Sequence, residues 1–210
     1  MKKQNISSAV IRRLPRYYRH LSELSQAGVV RISSSALGKT MNLTASQIRQ
    51  DLSCFGEFGQ QGYGYNVESL RNEVAEILGM NQGHTAVILG VGNLGRAILQ
   101  NFPFERCGFQ LNAAFDVSPE LIGRQISGVM IFPANELEDY LRQNPTNVGV
   151  LTVPRSIANG TAERLIRGGV KGIWNFTNSE LRVNDPRVVV ENVHFSDSLL
   201  TLNYLISEEA

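Results

Sequence analysis

Thr85-Ala86-Val87-Ile88-Leu89 is a short, nearly all-apolar run that leads without a break into Gly90-Val91-Gly92-Asn93-Leu94-Gly95, and Arg96-Ala97-Ile98-Leu99 behind it has helical character. Three glycines at that spacing between a strand and a helix constrain the fold more than any other feature of the chain. Each has its own mechanical reason. Gly90 makes the turn, Gly92 lets the backbone approach a pyrophosphate, and Gly95 lets helix and strand pack. The helix N-terminus then offers free N–H groups to an anion. Gly90, Val91, Gly92, Asn93, Leu94 and Gly95 are therefore candidate dinucleotide contacts. A tight βα turn with no ligand is the alternative that the spacing leaves open.

The next strand, 111–116, ends in Asp116, about twenty residues past the glycines. A carboxylate there accepts both hydroxyls of the adenosine ribose and repels a 2′-phosphate, which favours NAD(H) over NADP(H). Arg124 is the nearest cation that would overturn this, and a helix N-cap is the plainer role for Asp116. Strand and helix then alternate: a weak strand over 128–131, a helix over 135–142, a buried strand over 148–153, a helix over 157–167, and strands over 172–176 and 188–191. All-apolar strands alternating with helices predict a parallel, doubly wound sheet of Rossmann type. Ligands sit at the carboxyl ends of such strands, which adds Thr152, Pro154, Asn175 and Phe176 to the candidates. From 196 to 206 the residues Leu199, Leu202, Leu205 and Ile206 form an apolar helical stripe that must pack on its own sheet or on a partner.

The first fifty residues read differently. They hold nine lysines and arginines against the single acid Glu23, whereas ten bases face thirteen acids from His84 onward. The formal charge of +1 hides this asymmetry, and a strongly basic head suggests that the head meets a polyanion. Val10, Leu14, Tyr17, Leu21 and Leu24 make one stripe of an amphipathic helix, with Arg12, Arg16 and Arg19 on another face. Pro15 predicts a kink or break near Leu14. Ser33 or Ser34 can cap a short helix to about Met41. After a turn at Asn42-Leu43, Thr44 with Gln47 three residues on is a capping box that opens a third helix, from Ala45 to about Cys54. Three short helices with a tight turn before the third are in helix-turn-helix order. The third exposes Ser46, Gln47, Arg49 and Gln50, while Ile48 and Leu52 face inward. Arginine matches guanine N7 and O6 and glutamine matches adenine N6 and N7, so this helix is a candidate major-groove reader, unless Gln47 is taken up by the cap.

Between Phe55 and Tyr65 glycines alternate with aromatics, the pattern of a tight hairpin or a winged-helix wing, which places Gln60, Gln61 and Tyr63 among the DNA candidates. Asn66 caps a helix bearing Val67, Leu70, Val74 and Ile77, and residues 79–83 form a linker. The expected organisation is a winged-helix domain over 1–79, a Rossmann domain over 80–195 and a C-terminal helix over 196–210.

Other chemistries are poorly provided for. No apolar run approaches the ~18 residues needed to span a bilayer and no signal-peptide pattern opens the chain, so a cytoplasmic location and no membrane are expected. Cys54 and Cys107 make no CxxC pair and His20, His84 and His194 make no HExxH motif, so no metal is expected. Gly38-Lys39-Thr40 lacks the first glycine of a P-loop, Ser33 standing in its place.

In this order the segments Ala9-Val10-Ile11-Arg12-Arg13-Leu14, Gln47-Ile48-Arg49-Gln50-Asp51-Leu52-Ser53, Phe58-Gly59-Gln60-Gln61-Gly62-Tyr63-Gly64-Tyr65, the glycine loop with Asp116, and Leu151-Thr152-Val153-Pro154-Arg155 resemble the Rex family of redox-sensing transcriptional repressors over essentially the whole chain. The resemblance implies a homodimer whose winged helices bind inverted-repeat, double-stranded operator DNA and whose Rossmann domains bind NADH and NAD+. It also implies release of the DNA by NADH, and exchange of the helix from about Ser196 between subunits. The two dinucleotides differ in charge at the nicotinamide, so an apolar, dry lining discriminates them; Phe195, Phe176 and Phe102 are the candidates, with Phe195 reaching the partner's ring.

Two departures from the family stand out. Some members carry Tyr where this chain has Phe102 and an acid where it has His194, in a network with the arginine matching Arg19, so the switch at Arg19, Phe102 and His194 differs here. His194 is then a neutral core histidine, a hydrogen-bond partner or a pH-sensitive element. A lysine of the family's reader motif is replaced by Gln50, which removes one cation per subunit. Two further functions are compatible with the Rossmann pattern. An NAD-dependent oxidoreductase needs a proton donor beside the nicotinamide, and only His194 is a candidate. A nucleotide or coenzyme A binding subunit has no use for the basic head. A non-enzyme regulator is therefore expected.

Overall fold

The computed structural model describes residues 6–56, 58 and 63–208. The chain divides into two compact units, Met1–Gln82 and Gly83–Ala210.

In the first unit, α1 (Ser8–Gln26), β1 (Arg31–Ile32), α2 (Ser34–Met41), α3 (Ala45–Ser53), β2 (Tyr65–Asn66) and α4 (Val67–Ile77) follow in order. Every helix starts on a side-chain oxygen that accepts from a backbone N–H two or three positions into the helix: Ser7 from Val10, Ser33 from Ala36, Thr44 from Gln47 and Asn66 from Ser69. Asn42 ends α2 in the left-handed conformation, φ 55°, which makes the tight turn into α3. Helix α1 runs unbroken through Pro15, contrary to the expected interruption. Pro15 lies on the exposed face while Leu14 and Tyr17 beside it are buried, so the carbonyl of Ile11 that loses its amide partner faces water. Leu14, Tyr17, Leu21, Leu37, Ile48, Leu52, Val67 and Val74 form the core, each side chain of this size contributing about 1.5–3 kcal/mol. The pairing of Arg31 with Asn66 and Ile32 with Tyr65 ties β1, which the pattern did not reveal, to the chain emerging from the glycine-aromatic run.

The second unit contains β3 (His84–Leu89), α5 (Asn93–Asn101), β4 (Phe109–Asp116), β5 (Gln125–Ile126), β6 (Val129–Pro133), α6 (Leu137–Gln143), β7 (Val148–Leu151), α7 (Ala158–Arg167), β8 (Gly172–Asn175), β9 (Val189–Asn192) and α8 (Phe195–Glu208). The strands form one sheet in the order β5-β6-β4-β3-β7-β8-β9. All neighbours are parallel except β5, a two-residue hairpin partner of β6 that sequence reading missed. Alternate residues of each strand feed two cores. Val87, Leu89 and Phe115 pack with Leu137, Leu141 and Leu165 of α6 and α7, whereas Ile88 and Ala114 pack with Ile98 and Leu99 of α5. Successive crossovers run from β3 through β4 to β6 on one side and from β7 through β8 to β9 on the other. The direction therefore reverses between β3 and β7, and the glycine loop at the end of β3 faces the end of β7 at that point.

Candidate functional site

The glycine loop is built from the requirements of its own backbone. Gly90 takes φ +91°, and a Cβ on it would come within 2.9 Å of the Thr152 carbonyl oxygen. A Cβ on Gly95 would collide with the Gly90 carbonyl oxygen, so helix and strand meet only without a side chain there. Gly92 is different: nothing of the chain lies within 4 Å of its Cβ position. Its lack of a side chain serves no packing need in this fold, but it leaves the backbone open to a ligand. Helix α5 starts at this glycine with no side-chain cap, in contrast to α1–α4, which leaves its first N–H groups and its positive dipole end available to an anion. These features fit a pyrophosphate.

Asp116 ends β4 and reaches the same loop. Its Oδ2 accepts from the Val91 N–H at 2.5 Å and its Oδ1 from the Ser118 N–H at 2.8 Å, so the carboxylate anchors the loop and the turn after β4. No helix follows β4, which removes the N-cap role. Each oxygen keeps a further lone pair, the capacity that two ribose hydroxyls require. The Thr152 hydroxyl donates within 2.7 Å of the Gly90 carbonyl and 2.9 Å of that of Leu89, locking loop to β7. Pro154 is exposed just beyond it.

Asn175 departs from expectation. It is buried, 1% exposed, and its amide nitrogen donates to the Ser179 carbonyl and Asn192 Oδ1, while its oxygen accepts from the N–H and hydroxyl of Thr177. All four hydrogen-bonding positions are taken, so the side chain ties β8 to β9 and has none left for a ligand. Phe176 beside it is half-buried and belongs to a line of rings: Phe102 to Trp174 at 4.9 Å, Trp174 to Phe176 at 4.6 Å, and Phe176 to Phe195 at 6.2 Å. His194 is half-buried rather than in the core, and its Nδ1 lies 3.2 Å from Asn178 Oδ1. Of the roles open to it, hydrogen-bond partner describes this geometry. No residue of α8 is buried; Leu199, Leu200, Leu202, Tyr204, Leu205 and Ile206 are all more than half exposed.

In the first unit, α3 exposes Ser46, Arg49 and Gln50 on the face opposite Ile48 and Leu52. Arg49 Nη1 is 3.1 Å from the Ser34 hydroxyl, which steadies it across α2. Thr44 forms its half of the capping box, but Gln47 does not reach back to the cap. Its Nε2 donates instead to Asp51 Oδ1 at 2.8 Å. Asp51 is wholly buried and also accepts two hydrogen bonds from Arg13, at 2.7 and 2.8 Å, and one from the Tyr17 hydroxyl at 2.9 Å. Burial pushes its carboxyl up, but the donors Arg13, Gln47 and Tyr17 outweigh it and hold the group below its ordinary value, hence ionised. Sequence reading passed over this cluster, although a tyrosine hydroxyl within the apolar stripe of α1 was a signal that a polar partner was needed.

Arg12, Arg16 and Arg19 of α1 are exposed as expected, but Arg16 also donates to the Met41 carbonyl at 2.9 Å and so caps the end of α2. Arg12 and Arg19 lie on the same solvent face. Tyr63 is 71% exposed. Gln60 and Gln61 lie outside the described residues. Among the described residues no group of three or more His, Cys, Asp or Glu side chains is arranged to hold a metal ion, and no helix is long and apolar enough to cross a membrane.

Comparison with known proteins matches both units. Residues 5–53 fit the family model "Putative DNA-binding protein N-terminus" and residues 81–179 fit "CoA binding domain". The chain is 50% identical over 208 residues to the redox-sensing transcriptional repressor Rex of Thermoanaerobacter pseudethanolicus, covering 99% of this chain and 92% of that one. It is 51% identical over 207 residues to the Rex of Clostridium beijerinckii, covering 99% and 98%. Among solved structures it resembles RSP, a Rex-family repressor. The complex of RSP with β-NAD+ and operator DNA gives TM-score 0.91 at 49% identity over 99% of this chain and 95% of that one, and the complex with β-NADH gives 0.91 at 46% over 99% and 97%. Identity at this level across both units establishes that the chain belongs to the family of redox-sensing transcriptional repressors named Rex.

Proposed function

We propose that this chain is a homodimeric repressor that holds an inverted-repeat operator through α3 and releases it when NADH occupies the glycine loop. The observation that carries the dinucleotide half is Gly92, a glycine with open space beside it at an uncapped helix start. The DNA half rests on the exposed Ser46, Arg49 and Gln50 of α3, with Gln47 at its edge and Arg12, Arg16 and Tyr63 as flanking contacts. Relatives named as repressors, and an RSP complex holding both NAD+ and operator DNA, support this reading over an enzyme. A repressor works where the DNA is, in the cytoplasm.

Gly90 to Gly95 would hold the pyrophosphate and Asp116 the adenosine ribose. When bound, the dinucleotide brings one positive charge at the nicotinamide in its oxidised form and none in its reduced form. Phe102, Phe176 and Phe195, with Trp174 between them, provide an apolar lining, and an apolar lining disfavours the cation. An affinity ratio of about a hundredfold, worth ~2.7 kcal/mol, suffices for a switch, provided that the two domain arrangements bind NADH unequally. The unburied apolar surface of α8 supports its exchange onto a partner subunit, carrying Phe195 with it.

Two variants test the assignment. Arg49→Ala weakens operator binding about 5–150-fold and leaves NADH affinity unchanged. Gly92→Val abolishes NADH binding and yields a repressor that no longer lets go. Wild-type NADH release by Gly92→Val would place the dinucleotide elsewhere.

A further inference from the structure

The ion cluster beneath α3 does more than hold two helices together. Asp51 is completely buried and receives four hydrogen bonds, from Arg13 Nε and Nη2, the Tyr17 hydroxyl and Gln47 Nε2. An ionised carboxylate only accepts, so the end of Gln47 that meets it must be the amide nitrogen. Arg13 and Tyr17 both come from α1, so the carboxylate is fixed from outside α3, and Gln47 one turn before it is fixed in turn. The amide is not sealed off: Gln47 lines an open groove together with Val10, Arg13, Gln50 and Asp51.

We infer that Asp51 is a positioning residue for base recognition, setting the polarity of the Gln47 amide so that α3 reads adenine at one position of each half-site. The inference rests on α3 being the reader helix. A free glutamine flips its amide at little cost and presents either a donor and an acceptor or two donors. Here one N–H is held by Asp51, and the amide keeps its other N–H and its oxygen. One donor and one acceptor match adenine N7 and N6–H, whereas guanine N7 and O6 require two donors. The cluster thereby supplies specificity that Gln47 alone lacks, with its ordering cost met on folding rather than on binding.

The test is selection from a library of duplexes carrying two inverted half-sites with randomised bases, using the full chain and its variants. Wild type selects adenine over guanine at one half-site position by about tenfold. Gln47→Ala levels that position to within about twofold and leaves the preferences elsewhere intact. In Asp51→Asn the new amide can donate to the Gln47 oxygen, which turns both Gln47 N–H groups outward, so the same position moves toward guanine. A mere prop would instead lose affinity for every duplex by one factor; an unchanged adenine preference in folded Asp51→Asn overturns the inference. If that variant does not fold, the side-chain amide resonances of Gln47 in the free wild-type protein decide. Protection of one Nε2 proton from solvent exchange supports the lock, and free-amide exchange of both overturns it. Protected amide protons in a wild-type chain that selects no sequence would leave the lock standing and remove the reader helix, and with it the inferred role.

Discussion

Arg13 and Asp51, thirty-eight residues apart, form a two-pronged ion pair in which Nε and Nη2 of the guanidinium donate to the two carboxylate oxygens at 2.7 and 2.8 Å. The pair joins α1 to α3 with the carboxylate fully out of solvent. Removing one partner leaves the other charge buried and unpaired, the costly half of any buried pair. Arg13→Ala is expected to lower stability by about 3 kcal/mol, read from the urea midpoint, and to leave NADH affinity as it was. A loss below about 1 kcal/mol would mean that the surface pairs in this protein matter as much as this one.

The glycines of the loop after β3 separate by experiment. A methyl group at Gly95 meets the Gly90 carbonyl, so Gly95→Ala should lower stability by about 1–3 kcal/mol. A methyl group at Gly92 meets nothing within 4 Å, so Gly92→Ala should keep its melting temperature within a degree or two while NADH, titrated by its fluorescence, binds at least about tenfold more weakly. Wild-type affinity in folded Gly92→Ala would contradict the placement of the pyrophosphate.

On the other face of the sheet, Arg164 of α7 binds both carboxylate oxygens of Glu138 on α6, and these hydrogen bonds hold the carboxyl at about 2, down from 4.5. A depressed folded-state pKa means stability that is fully present above the unfolded value and is lost as pH falls from about 4.5 to about 2. Glu138→Gln should therefore be less stable than wild type at pH 7, and the gap should close on acidification through that window. Equal gaps at pH 7 and pH 3, measured by urea unfolding, would contradict it.

Helix α8 buries no side chain within its own chain, though seven large apolar residues run along it, Phe195 at its start among them. Deletion of residues 196–210 is expected to reduce the sedimenting species to a monomer at micromolar concentration. A truncated chain that remains a well-folded dimer would place the interface elsewhere.

Features written in contiguous residues were legible in the sequence. The glycine loop, the Thr44 cap of α3, the apolar stripe of α1 and the strands flanking the switch point each depend on neighbours within a few positions. What escaped depends on contacts that no local pattern encodes. Asp51 looked like one polar residue on a polar helix until α1 brought Arg13 and Tyr17 against it. Asn175 stood at the expected strand end, yet its side chain is consumed by Ser179, Thr177 and Asn192. Pro15 marked a break by propensity, and a buried stripe on either side carried the helix through. The two-residue strands β1 and β5 are too short to show periodicity at all.

NADH at the glycine loop is expected to release DNA from α3. Fluorescence anisotropy of a labelled duplex carrying two inverted half-sites tests it most directly, with NADH titrated into the protein–DNA complex at a constant excess of NAD+. Release at low NADH, with NAD+ alone leaving the complex intact, is the predicted result. Tight binding that ignores both dinucleotides would contradict it.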